Sequence, residues 1–122
     1  MQIKGLVWAG TATEKYDETV GFFRDVLGLS PFHESEHLTV LRLSSGDWME
    51  VFGPGHAHYD EFKGGLVVEF LVDDLERARA ELEAKGVEFL HDNHTWGEFA
   101  WAHFRGPDGS IYGITSGPYE GA

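Results

Sequence analysis

Cysteine is missing from the 122 residues, which excludes disulfides, thiolate nucleophiles and cysteine-type zinc sites. Basic residues are scarce, nine Lys plus Arg against 21 Asp plus Glu, for a formal net charge of −12. A surplus of that sign repels phosphate backbones and anionic lipid and draws cations, so nucleic acid is not expected as a partner. No apolar run reaches the roughly 20 residues of a bilayer span. The stretch from Met1 to Lys15 lacks the basic start and continuous apolar run of a secretory leader. Neither membrane association nor export is expected, and a cytoplasmic location is. Glycine-rich phosphate loops, nucleophile elbows and serine-triad arrangements are also absent.

What is present is apolar enough to fold. Hydrophobic residues make up 42% of the chain and aromatics 14%, with nine Phe, four Trp and four Tyr. That composition is too apolar for a disordered chain, and the length predicts a single domain over residues 1–122.

An internal repeat organises the chain. Gly5-Leu6-Val7-Trp8 returns sixty positions later as Gly65-Leu66-Val67-Val68. After the first copy, Val20, Phe23 and Leu27 follow helical spacing and predict a helix from about Thr13 to Leu27, stopped by Gly28. After the second, Asp73 can cap a helix with Glu76 three residues on, and Leu75, Ala78 and Leu82 carry its apolar face to Gly86. Two strands succeed the helix in each half. They are Leu38–Leu43 and Trp48–Phe52 around Ser44-Ser45-Gly46-Asp47, then Glu98–Phe104 and Ser110–Thr115 around Gly106-Pro107-Asp108-Gly109. Module one therefore covers about 1–55 and module two about 62–119. Each buries one sheet face under its helix, giving an α+β class with the opposite sheet faces free to curl around a cavity.

Several phrases resemble a known superfamily. Gly21-Phe22-Phe23-Arg24-Asp25-Val26-Leu27-Gly28-Leu29, Val72-Asp73-Asp74-Leu75, Ala84-Lys85-Gly86-Val87, Trp96-Gly97 and Arg105-Gly106-Pro107-Asp108-Gly109-Ser110 occur in order. They are similar to the vicinal oxygen chelate superfamily of glyoxalases, bleomycin resistance proteins and extradiol dioxygenases. The resemblance implies two βαβββ modules forming a half-open barrel, often as a homodimer. In metal-dependent members it implies ligands from the first and last strands of both modules. The matching positions here are Gly5 or Val7, then Glu50, Val67 and Gly113, and Glu50 alone offers a donor. One carboxylate does not hold a divalent cation against water. The expectation is that the inherited metal site is lost and that no metal or other cofactor is bound.

Strand alternation then assigns an inner face, because side chains two apart share a side. Glu50 brings Trp48 and Phe52 with it, Val67 brings Glu69, and Gly113 brings Ile111 and Thr115 while itself leaving space. Trp96, Trp101 and His103 are further candidate walls. Trp48, Phe52, Glu69, Trp96 and Trp101 are the candidate ligand-binding residues, and Glu50 and His103 the candidate catalytic pair. An imidazole takes a proton near neutral pH, which makes His103 the candidate general base. His56 with His58, and His91 with His94, read as exposed loop pairs.

Two functions are compatible with this pattern. The first is a protein that is not an enzyme and sequesters an aromatic, cationic small molecule without metal, as the resemblance to bleomycin resistance proteins implies. The second is a superfamily enzyme, a lyase, isomerase or dioxygenase, working through a rearranged site of Glu50, Glu69 and a histidine, or by metal-free acid–base catalysis. Either way a small molecule is the expected ligand and a homodimer the expected assembly.

Overall fold

The computed structural model describes residues 1–119, so the last three positions of the expected domain, 120–122, lie outside the described residues. In chain order the elements are β1 (Gly5–Ala12), α1 (Tyr16–Gly21), β2 (Ser30–Glu34), β3 (Leu38–Arg42), β4 (Trp48–Phe52), α2 (Tyr59–Phe62), β5 (Leu66–Leu71), α3 (Leu75–Ala84), β6 (His94–Trp96), β7 (Phe99–Arg105) and β8 (Ile111–Ser116). The strands make one eight-stranded sheet in the order β2-β3-β4-β1-β5-β8-β7-β6. Each half reads strand, helix and three strands, the α+β arrangement expected from the repeat. Two compact units are distinguished, one holding Trp8–Val67 and the other Met1–Val7 with the described residues from Val68 to 119.

In the unit from Trp8 to Val67, β1 runs parallel to β4, and β2, β3 and β4 are antiparallel neighbours. Met49, Val51 and Leu41 pack with Tyr16 and Val20 beneath the helical segment, and Ala9, Phe23 and Leu29 close the cluster. Tyr16 ties the helix to the sheet through its hydroxyl, which bonds Thr39 Oγ1 at 2.5 Å and donates to the Ser35 carbonyl at 2.8 Å. Alternation leaves Trp48, Glu50 and Phe52 on the opposite face of β4.

The helix here is shorter than its spacing predicts. It starts at Tyr16, and from Phe22 to Val26 it widens into a π-helical turn closed by the Leu27 N–H on the Phe22 carbonyl at 3.0 Å. The extra residue per turn rotates the later side chains out of the apolar stripe. Val20 stays buried while Leu27, expected on the same face, is 54% exposed.

In the second unit, β5 and β8 are parallel and β8, β7 and β6 antiparallel. Val72, Leu75, Ala78 and Ile114 form the core under α3, with Leu82, Phe89, Ala100 and Phe104 against it. The cap is Asp74 rather than Asp73, its carboxylate accepting from the Arg77 N–H at 3.1 Å. Asp73 instead pairs with Lys4 at 2.9 Å. Three elements are not expected from the sequence. One is β2, exposed along its whole length; the others are the three-residue β6 and the single turn α2.

Candidate functional site

The polar centre of the second module is built across three adjacent strands. Register places Glu69 of β5 beside Gly113 of β8, and Gly113 opposite His103 of β7. Strands one apart on either side of a middle strand are about 9–10 Å apart, so their side chains meet only where the middle position is empty. Gly113 supplies that gap, and Glu69 and His103 fill it. A Cβ on Gly113 would lie 2.8 Å from His103 Cδ2 and 2.9 Å from Glu69 Cγ. The space expected at Gly113 is therefore occupied from within.

Across that gap His103 Nε2 bonds Glu69 Oε2 at 2.7 Å. On its other side His103 Nδ1 meets His91 Nε2 at 2.9 Å, and His91 Nδ1 bonds the Asp92 carbonyl at 2.7 Å. The loop carrying His91 is pinned to β7 by the Leu90 N–H on the His103 carbonyl at 2.9 Å. His91 is thus not the exposed loop residue its sequence context suggests. Its ring packs 4.2 Å from that of His94, which in turn lies 6.0 Å from Trp101. His103 is 1% exposed and Glu69 4%. Burial pushes the Glu69 carboxyl up to about 8, against a smaller opposing pull from His91.

The first module uses its inner face differently. Trp8 on β1 donates its indole N–H to Glu50 Oε2, and its ring lies across Gly10, where any Cβ would overlap it. Phe52 and Phe62 pack against Trp8 at 6.4 and 6.1 Å. His56 and His58 stand over Phe52 and Phe62, and His58 Nδ1 is 3.3 Å from Glu61 Oε2. Trp48 holds Phe32 edge-on at 5.1 Å and carries the Arg42 guanidinium at 4.9 Å from its ring centre.

Of the residues singled out from sequence, Glu69 and His103 come together in one bonded cluster, with Trp101 near its His91–His94 end. Glu50, Trp48 and Phe52 belong to the first module and keep the partners just described. Trp96 lies on strand β6, at the end of the sheet order, 66% exposed and stacked on Phe99 at 6.2 Å. His91 and Trp8 were missed. The signal for Trp8 was its alternation with Gly10 on β1; His91 carried none beyond its spacing to His94.

The family model for the glyoxalase/bleomycin resistance protein/dioxygenase superfamily matches residues 5–111. The chain belongs to this superfamily. No curated protein matches it at a significant level. Among solved structures it is similar to a methylmalonyl-CoA epimerase in complex with methylmalonyl-CoA and NH4+, at 19% identity and a TM-score of 0.75 over 99% of this chain and all of that one. It is also similar to a Mn(II)-bound glyoxalase from Novosphingobium aromaticivorans, at 18% identity and 0.74, over 94% of this chain and 39% of that one. A superfamily member from Vibrio splendidus 12B01 shares 18% identity at 0.68, over 92% and 99%. At these identities the likeness is one of fold. Members of the superfamily take small-molecule ligands, and among the described residues no helix is long and apolar enough to cross a membrane.

One expectation is overturned. The inherited metal site was expected to be lost and no metal bound, yet among the described residues His91 and His103 of the second module belong to a group of side chains that could hold a metal ion. The expectation failed because it rested on Gly5 or Val7, Glu50, Val67 and Gly113 alone, whereas the imidazoles stand on β7 and on the loop before β6.

Proposed function

We propose that the protein is a superfamily enzyme of the isomerase or lyase kind, acting on a small molecule through a carbonyl or hydroxyl oxygen at the Glu69–His103–His91 cluster. The observation that carries this reading is the unbroken line from a buried carboxyl through a buried imidazole to a partly exposed one. Burying polar groups costs stability that an apolar trio would not, and such clusters concentrate where chemistry is done. His91 ends the line on the accessible side, so it is the member a substrate meets. His103 and Glu69 fix its orientation. A hydrogen-bond donor aimed from that end at negative charge growing on a substrate oxygen is commonly the largest single contribution to such catalysis.

The sequestering alternative has less support. Both inner-face acids are already held in internal bonds, Glu50 by Trp8 and Glu69 by His103, and Trp48 already carries a guanidinium. A panel of small carbonyl and hydroxycarbonyl compounds, monitored by NMR in D2O, separates the two. Deuterium entry beside the carbonyl, reduced about 100-fold or more in His91→Gln, supports the enzyme. Saturable binding of aromatic cations with no compound converted supports sequestration. The homodimer belongs to the same proposal, since β2 leaves an edge exposed at every position, Phe32 included. Light scattering after size exclusion checks it, and a strict monomer contradicts it.

A further inference from the structure

We infer that Arg79, on α3, is a positioning residue for His91, holding in place the loop that presents this imidazole to a substrate. The inference rests on the Glu69–His103–His91 cluster being the working site and names what keeps its accessible end in position. His91 lies between the end of α3 at Ala84 and the start of β6 at His94, outside any helix or strand. A loop side chain stays aimed only where a rigid scaffold ties the loop down. One tie comes from β7, where the Leu90 N–H meets the His103 carbonyl. The other comes from the helix.

Arg79 Nη1 donates to the His91 backbone carbonyl at 3.0 Å and to Asn93 Oδ1 at 2.7 Å. The same guanidinium lies 4.4 Å from the centre of the Phe89 ring. Phe89, His91 and Asn93 therefore all meet one side chain. Phe89 is itself anchored, edge-on to Phe104 at 5.3 Å and bridged to it through the backbone. These contacts call for a guanidinium in particular. Its planar face stacks on a ring while the N–H groups around its rim donate, and its charge strengthens each bond. A lysine ammonium is a point donor with no face to stack. Glu83, one helical turn on, meets Arg79 Nε only at 3.5 Å and is exposed, so it adds little. The bond to the His91 carbonyl is what links Arg79 to chemistry. The His91 ring meets His103 at 2.9 Å, and a misplacement of about 1 Å in such a group can cost about 100-fold in rate. In this scheme Arg79 touches no substrate and acts through His91.

NMR of the full-length protein carrying Arg79→Met or Arg79→Lys tests the inference. Both variants keep the aliphatic stem along the helix, and the methyl signals of Val72, Leu75 and Ile114 report whether the core under α3 is intact. With the core intact, the His91 ring signals should shift in Arg79→Met and the close approach of the His91 and His103 rings should be lost. Arg79→Lys, which keeps a single donor without the stacked face, should displace His91 less, and Glu83→Gln should leave it in place. For any compound converted, kcat should fall about 10- to 100-fold in Arg79→Met with KM changed less. An unmoved His91 in Arg79→Met overturns the inference, and so does loss of the core in both Arg79 variants, which would make Arg79 a residue of the fold alone. Conversion at the wild-type rate by Arg79→Met removes the positioning role and keeps the enzyme. A displaced His91 in a protein whose wild type converts no compound does the reverse.

Discussion

Glu69 and His103 reach each other across an intervening strand because the residue between them, Gly113, has no side chain. The position where the family resemblance leads one to look for a metal ligand is thus the gap through which two neighbouring strands join their side chains. One vacancy creates one contact, and this relationship is open to a simple substitution.

Gly113→Ala should push His103 and Glu69 apart. The added methyl would sit under 3 Å from both side chains, and overpacking of that kind costs about 1–3 kcal/mol. Denaturant unfolding measures the cost, and a shift of the His103 ring resonances reports the displacement. Wild-type stability with an unmoved His103 would contradict the account.

The Glu69–His103 bond should appear as a coupling. Glu69→Leu alone strands the buried imidazole and should cost about 1–3 kcal/mol. Adding His103→Leu removes the stranded group, so the double variant should recover part of the loss. A double-mutant cycle on unfolding free energies that closes without interaction would show that the two groups act independently.

In the first module Trp8 should depend on Gly10. A Cβ at Gly10 overlaps the indole, so Gly10→Ala should displace Trp8 from Glu50 and lower stability by about 1–3 kcal/mol. The tryptophan emission should move to the red as the ring leaves its packing with Phe52 and Phe62. An unchanged spectrum would place the ring elsewhere.

The two adjacent aspartates before α3 should behave unequally. Asp74→Ala removes a helix cap and should cost about 1 kcal/mol, whereas Asp73→Ala removes an exposed pair with Lys4 worth only a few tenths. Thermal unfolding of the two variants decides it, and equal losses would point to Asp73 as a second cap.

Much of the fold was legible because periodicity tracks burial. Met49 and Val51 pack under the helical segment, on the side of β4 that strand parity assigns them, and the stripe of Leu75, Ala78 and Leu82 lies where the spacing puts it. The elements that escaped notice lack that imprint. Ser30–Glu34 is exposed at every position and so has no apolar alternation to read, and β6 is only three residues long. Leu27 misled because one π-helical turn breaks the helical count. In the site, Glu69 was found by parity along its strand and His103 as an imidazole on a strand beside Trp101. Their partnership was not, since it depends on which strands flank β8. His91 was out of reach, because a contact between the Leu90 N–H and the His103 carbonyl, distant in sequence, sets its position. The metal expectation failed through the same blindness to pairing across strands.

Nitrogen-15 NMR of histidine-labelled protein reads the bonded line from Glu69 through His103 to His91 directly. Both His103 ring nitrogens should show hydrogen-bonded shifts, Nε2 moving in Glu69→Gln and Nδ1 moving in His91→Gln. His103 resonances that stay in place in both variants would show that the line does not exist, and the cluster could not be the working site.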